Sequence, residues 1–115
     1  MTYVDGFVAA VPAANKQAYI EHSRKAAELL REWGATRVVE NWGEDVPAGK
    51  RTDFQRAVQA KPDEIIVFSW IEYPDKATRD AVGKKMMNDP SMAAMNMPFD
   101  GARLIYGGFE TLMSV

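Results

Sequence analysis

A chain of 115 residues, 47% apolar and 26% charged, can bury one core and is too short for two, so a single domain over 1–115 is expected. A net charge of −2, with basic residues scattered, offers no general attraction to phosphate backbones and argues against a nucleic-acid partner. The absence of cysteine excludes disulfides and thiolate-held metals and suits a reducing, cytoplasmic setting, and no run approaches the ~18 apolar residues of a membrane span.

The first element is a strand over Tyr3–Val11, YVDGFVAAV, apolar on both faces except at Asp5 and stopped by Pro12. A helix should start between Ala13 and Asn15, signalled by Pro12 or Asn15, and run to Trp33, with Gly34 in the position that tolerates positive φ. At 100° per residue, Tyr19, Ser23, Ala26, Leu30 and Trp33 share an arc, and charged residues fill the opposite one. Such a helix lies on a flat apolar surface. Ala35–Gly43 reads as a second strand, and the Pro- and Gly-containing stretch after it as a loop. In DFQRAVQA, Phe54, Arg56 and Val58 alternate as in a strand, while Phe54, Ala57 and Val58 would equally line a helical turn. The hairpin-like KPDE that follows favours a short extra strand.

Glu64–Tyr73, EIIVFSWIEY, is an almost unbroken apolar run, which predicts a strand buried on both faces. Pro74 and Asp75 open a second helix that closes near Pro90, the Met-rich stretch follows, and GARLIYGGFE supplies the last strand, with Gly107–Gly108 marking a bulge or a close backbone approach. This order is the split βαβ arrangement of the ferredoxin-like α+β fold, an antiparallel sheet with both helices on one face. The other face would stay open. Since neither the Val67–Ser69–Ile71–Tyr73 set nor the Ile66–Phe68–Trp70 set is a water face, a lone chain would expose a large apolar patch. Pairing with a twin sheet removes it, so a homodimer in the form of a dimeric α+β barrel is expected.

The segments YVDGFVAAVP, VVENWGEDVPAGK, TDFQRAV, VFSWIEYP, KKMMNDP and MPFDGARLIYGGFE together resemble the YbaA-like family of small uncharacterised bacterial proteins, across almost the whole chain. The resemblance implies the dimeric α+β barrel superfamily, which includes cofactor-free monooxygenases, haem-degrading enzymes, isomerases and ligand-sensing domains. It brings no activity of its own, because one fold hosts many unrelated sites. Haem-degrading members hold iron with a histidine on the second helix. This chain has no histidine there.

Five of the seven methionines fall within Met86–Asp100. Thioethers are soft ligands for Cu(I), but they also fill cores and line adaptable pockets. With no cysteine or histidine nearby, packing around a cavity is the reading adopted, and neither a metal nor a cofactor is assigned. His22 is the only histidine and the only unperturbed near-neutral acid–base group. Asp5, a carboxylate on a central strand, needs a partner, for which Arg37, Arg103 or Tyr106 are the candidates, or else serves as a base or anchor. Glu40, Ser69 and Glu72 are strand-borne polar groups with weaker claims. Trp42, Trp70 and Phe99 suit stacking on a planar ligand as well as packing in the core or a dimer interface, and with Met86, Met95 and Tyr106 they make up the expected binding set. The polar loop Trp42–Asp53, hinged by Gly43 and Gly49, is long enough to cover a pocket.

Two functions follow. One is a small-molecule binder with a helix–sheet cleft, in which Asp5 and His22 would act as catalytic groups of a cofactor-independent oxygenase or isomerase. The other is a non-catalytic dimer that contacts protein or RNA.

Overall fold

The computed structural model describes residues 2–93 and 95–115. Its two longest strands, β1 (Tyr3–Pro12) and β3 (Glu64–Tyr73), lie antiparallel at the centre of a four-stranded sheet. Their β-rich, doubly apolar sequences suit that place, where both faces are covered or await cover. The shorter β2 (Arg37–Trp42) and β4 (Ile105–Glu110) form the edges, giving the order β2-β3-β1-β4 with antiparallel pairing throughout. This is the ferredoxin-like α+β fold.

The helix α1 (Lys16–Trp33) follows a single 3₁₀ turn over Ala13–Asn15. Asn15 stands at its start without capping it. The side-chain amide donates instead to the Pro98 carbonyl at 2.8 Å, tying the end of the Met-rich stretch to the beginning of α1. Gly34 ends the helix at φ +136°, its N–H shared between the carbonyls of Leu30 and Arg31. A Cβ at this position would also sit 2.9 Å from the Thr78 methyl. Gly34→Ala is therefore expected to lower stability by about 2 kcal/mol, from backbone strain and the clash together, as measured by urea denaturation.

Residues 53–60 depart from the expected extra strand. They contain one helical turn, α2 (Phe54–Ala57), followed by Gln59 at a positive φ of 51°. The reason is local. Asp53 is a good N-cap whose carboxylate accepts the Arg56 N–H at 2.7 Å, and the turn lets Val58 reach Val8, Ala10 and Ile66. Val46 joins that cluster, so the loop after β2 covers part of the sheet face opposite the helices. It does not cover a helix-side pocket.

The remaining helices are α3 (Lys76–Asn88), capped by Asp75 through the Thr78 N–H at 2.7 Å, and the short α4 (Pro90–Ala93). On the helix side of β3, Val67, Ser69, Ile71 and Tyr73 are all buried. On the open side, Phe68 keeps 48% of its surface exposed, with Ile105 at 44% and Phe109 at 60%. Phe54, Phe68 and Trp70 form an aromatic chain across that face, with centroid spacings of 6.1 and 5.8 Å.

Arg103 was an expected partner for Asp5 but serves elsewhere. Its guanidinium grips both oxygens of Glu64 at 2.7 Å and also bonds Asp100 and the Gln59 carbonyl, fastening the turn before β4 to the start of β3. Arg37 pairs with Glu72 at 3.5 Å, and Tyr106 is largely exposed.

Candidate functional site

The helices do not cover the sheet evenly. Leu30, Ala35, Ile71, Tyr73 and Val82 form one core at the end of α1, and Ala9, Val11, Tyr19 and Val67 another at its start. Between them the sheet carries Asp5 and Phe7 on β1 and Glu40 on β2, with Ser69 of β3 fully buried between Phe7 and Glu40 in the cross-strand row. Ala26 and Ala27 of α1 and Gly83 of α3 face this stretch, and a cleft of about 1030 Å³ opens there. Ligand pockets commonly span roughly 300–1,000 Å³, so a small molecule fits with room left over.

All five methionines of the Met-rich stretch, Met86, Met87, Met92, Met95 and Met97, line this one cleft. Met87 is 87% and Met97 53% exposed, which makes them wall rather than core. Phe99 closes the same side, packed on Tyr19 with centroids 5.7 Å apart and edge-on to His22 at 6.5 Å.

Cross-strand register sets Glu40, Ser69, Phe7 and Tyr106 in one row across the sheet. Glu40 Oε1 accepts the Tyr19 hydroxyl at 2.7 Å and, by a short bond, the Ser69 hydroxyl. Burial first, and then the Glu40 carboxylate, push the Tyr19 phenol well above its ordinary range, so it stays a donor. Oε2 of Glu40 has no hydrogen-bond partner among the described residues, and the residue lines the cleft. Burial holds the His22 imidazole below its usual value of 6.5, with Glu40 opposing, so at neutral pH it is uncharged on the same wall.

Asp5 also lines the cleft, but its charge is answered. Arg79 Nε donates to it at 2.9 Å, and Arg79 Nη1 reaches Asp80 at 3.2 Å. Burial and then the Asp5 carboxylate raise the Tyr73 phenol above its ordinary range. Gly108 makes room for this arrangement, since a Cβ there would fall 2.6 Å from the Tyr3 hydroxyl and 2.7 Å from Arg79 Nη2. At Gly107, on the open face, an added Cβ would meet the Phe109 ring at 3.4 Å, an ordinary contact. The close backbone approach expected of the glycine pair is therefore at Gly108.

Of the expected residues, the cleft brings together Asp5, His22, Met86, Met95, Phe99 and Tyr106. Trp70 lies on the opposite face, its indole N–H bonded to Glu72 at 2.9 Å. Trp42 packs in the core near Tyr19, under the Lys16 ammonium at 5.6 Å, outside the cleft wall. Sequence reasoning missed Tyr19 and Arg79, and it missed Gly83, a helix-interior glycine whose absent side chain leaves open space. That glycine is itself a legible signal, because it weakens a helix by about 1 kcal/mol relative to alanine. Among the described residues no three His, Cys, Asp or Glu side chains group as a metal set, and no helix is long and apolar enough to cross a membrane.

Comparison with solved structures finds a dimeric ferredoxin-like protein from an uncultured marine organism, with a TM-score of 0.60 and 12% identity, covering 99% of this chain and 98% of that one. The uncharacterised protein YbaA of Escherichia coli K12 is 59% identical over 115 residues, 98% of each chain, and YbaA of Shigella flexneri matches to the same extent. Residues 2–101 match the family model described as protein of unknown function, DUF1428. By these matches the chain belongs to the DUF1428 family of proteins of unknown function and is similar to the YbaA proteins.

Proposed function

We propose that the protein binds one small, largely apolar molecule per chain in the cleft between α1, α3 and the sheet, and that two chains pair through the open sheet face. The observation that carries the binding reading is the convergence of all five clustered methionines on a single cavity beside an incompletely bonded carboxylate. Methionine walls re-shape around a ligand at little strain because the side chain is unbranched and polarisable. Pairing is supported by the exposed Phe68, Ile105 and Phe109 and by the dimeric state of the ferredoxin-like neighbour. Glu40 and uncharged His22 stand on the same wall, so proton transfer to and from the bound molecule is the chemistry the cleft best supports.

Gly83 provides the test. A Cβ added there meets nothing within 4 Å and Gly83 lines the cleft, while removing a helix-interior glycine favours α3. Titration of the unaltered protein with the neutral dye Nile red should show saturable, blue-shifted fluorescence at micromolar concentration. Gly83→Phe should abolish that signal without lowering the unfolding midpoint. Equal dye binding by a folded Gly83→Phe protein would refute the cleft as the site.

A further inference from the structure

Three of the five charged residues that line the cleft are held in ion pairs. Asp5 is matched by Arg79, and Asp80 is shared between Arg79 at 3.2 Å and Lys76 at 2.9 Å. Lys84 is exposed, and His22 is uncharged at neutral pH. Glu40 alone has no cationic partner among the described residues, and the donors it does have, Tyr19 and Ser69, both act on Oε1. Glu40 is exposed, so Oε2 is left as an open acceptor on the cleft, which Phe7, Phe99 and Tyr106 also line.

A ligand with an anionic head would face this carboxylate; the one guanidinium in the wall is already engaged, and the other cation of the lining, the Lys84 ammonium, is exposed. A cation meets the opposite situation. It can donate to Oε2, it is attracted by the unbalanced charge, and aromatic rings of the kind that attract cations line the same cleft. We infer that the ligand of this cleft is an apolar amine bound as its ammonium, with the nitrogen at Glu40 Oε2 and the hydrocarbon body along the methionine wall. The inference rests on the binding proposal above and goes further by naming the head group.

Three probes of equal chain length separate the two. n-Octylammonium, n-octanol and octanoate would each be measured on the full chain by displacement of Nile red. Octylammonium should bind at least tenfold more tightly than octanoate, and Glu40→Gln should reduce that preference to within about twofold, its fold being checked by circular dichroism. If octanol or octanoate displaces the dye at least as well as the ammonium, the cleft stands and the head-group assignment falls. It also falls if a folded Glu40→Gln protein keeps the full preference. If none of the three displaces the dye, the cleft reading and this inference fall together. Should Glu40→Gln fail to fold, the ranking of the three probes on the unaltered protein decides by itself.

Discussion

Under the proposed pairing the unaltered protein should sediment as a dimer at micromolar concentration, and Phe68→Asp should sediment as a single chain. Phe68 lies mid-face on β3 with 48% of its surface exposed, flanked by Phe54, Trp70 and, two strands away, Ile105. A lone chain leaves this patch in water, which soluble monomers rarely tolerate at such extent. A two-fold contact uses the same patch twice, so each Asp substitution enters the interface as two desolvated carboxylates. Stripping water from such charges costs several kcal/mol, and about 4 kcal/mol corresponds to a thousandfold weaker association. The subunit itself should tolerate the change, because a half-exposed side chain contributes little to its own fold, and the thermal transition of the variant should remain cooperative. A stable single-chain species formed by the unaltered protein would remove the case for pairing.

Acid should destabilise the protein through one identifiable pair. Glu64 is pulled from its ordinary 4.5 to about 2, chiefly by the two-pronged hydrogen bond from Arg103 and further by the Lys61 N–H. A depressed carboxyl contributes its stabilisation in full above its unfolded value and loses it as pH falls toward its folded value. Unfolding free energy should therefore decline between about pH 4.5 and pH 2, as the unfolded chain takes up a proton that folded Glu64 refuses. Glu64→Gln should flatten that decline. At pH 7 it should cost about 2 kcal/mol, the worth of hydrogen bonds to a charged group, since Asp100 and the Gln59 carbonyl still hold Arg103. Urea denaturation at a series of pH values measures both effects, and an unchanged acid slope in the variant would show that other carboxylates carry the transition.

Much of the architecture could be read along the chain, since its signals are local. The apolar run Glu64–Tyr73 coincides with β3, Gly34 ends α1 at positive φ, and Asp75 caps α3. Periodicity and caps act within a few residues, so they survive without tertiary context. Residues 53–60 failed because alternation and helical spacing overlap in so short a segment. The outcome depended on whether Val58 had a cluster to join on the open face.

The site was less legible. Composition by itself excluded thiol chemistry and left His22 as the one imidazole, because the chain has no cysteine and a single histidine. Which of those groups meet depended on strand register, since a shift of one residue moves a side chain to the other face. Register put Glu40 beside Ser69 and sent Trp70 to the far side, while helix packing brought Arg79 to Asp5 across 74 positions of chain. Pattern alone thus determined that the sheet is apolar on two sides and that methionines crowd one segment. Only the folded chain decided that those methionines line one cleft with Glu40, because that cleft is formed through space between elements that no local rule connects.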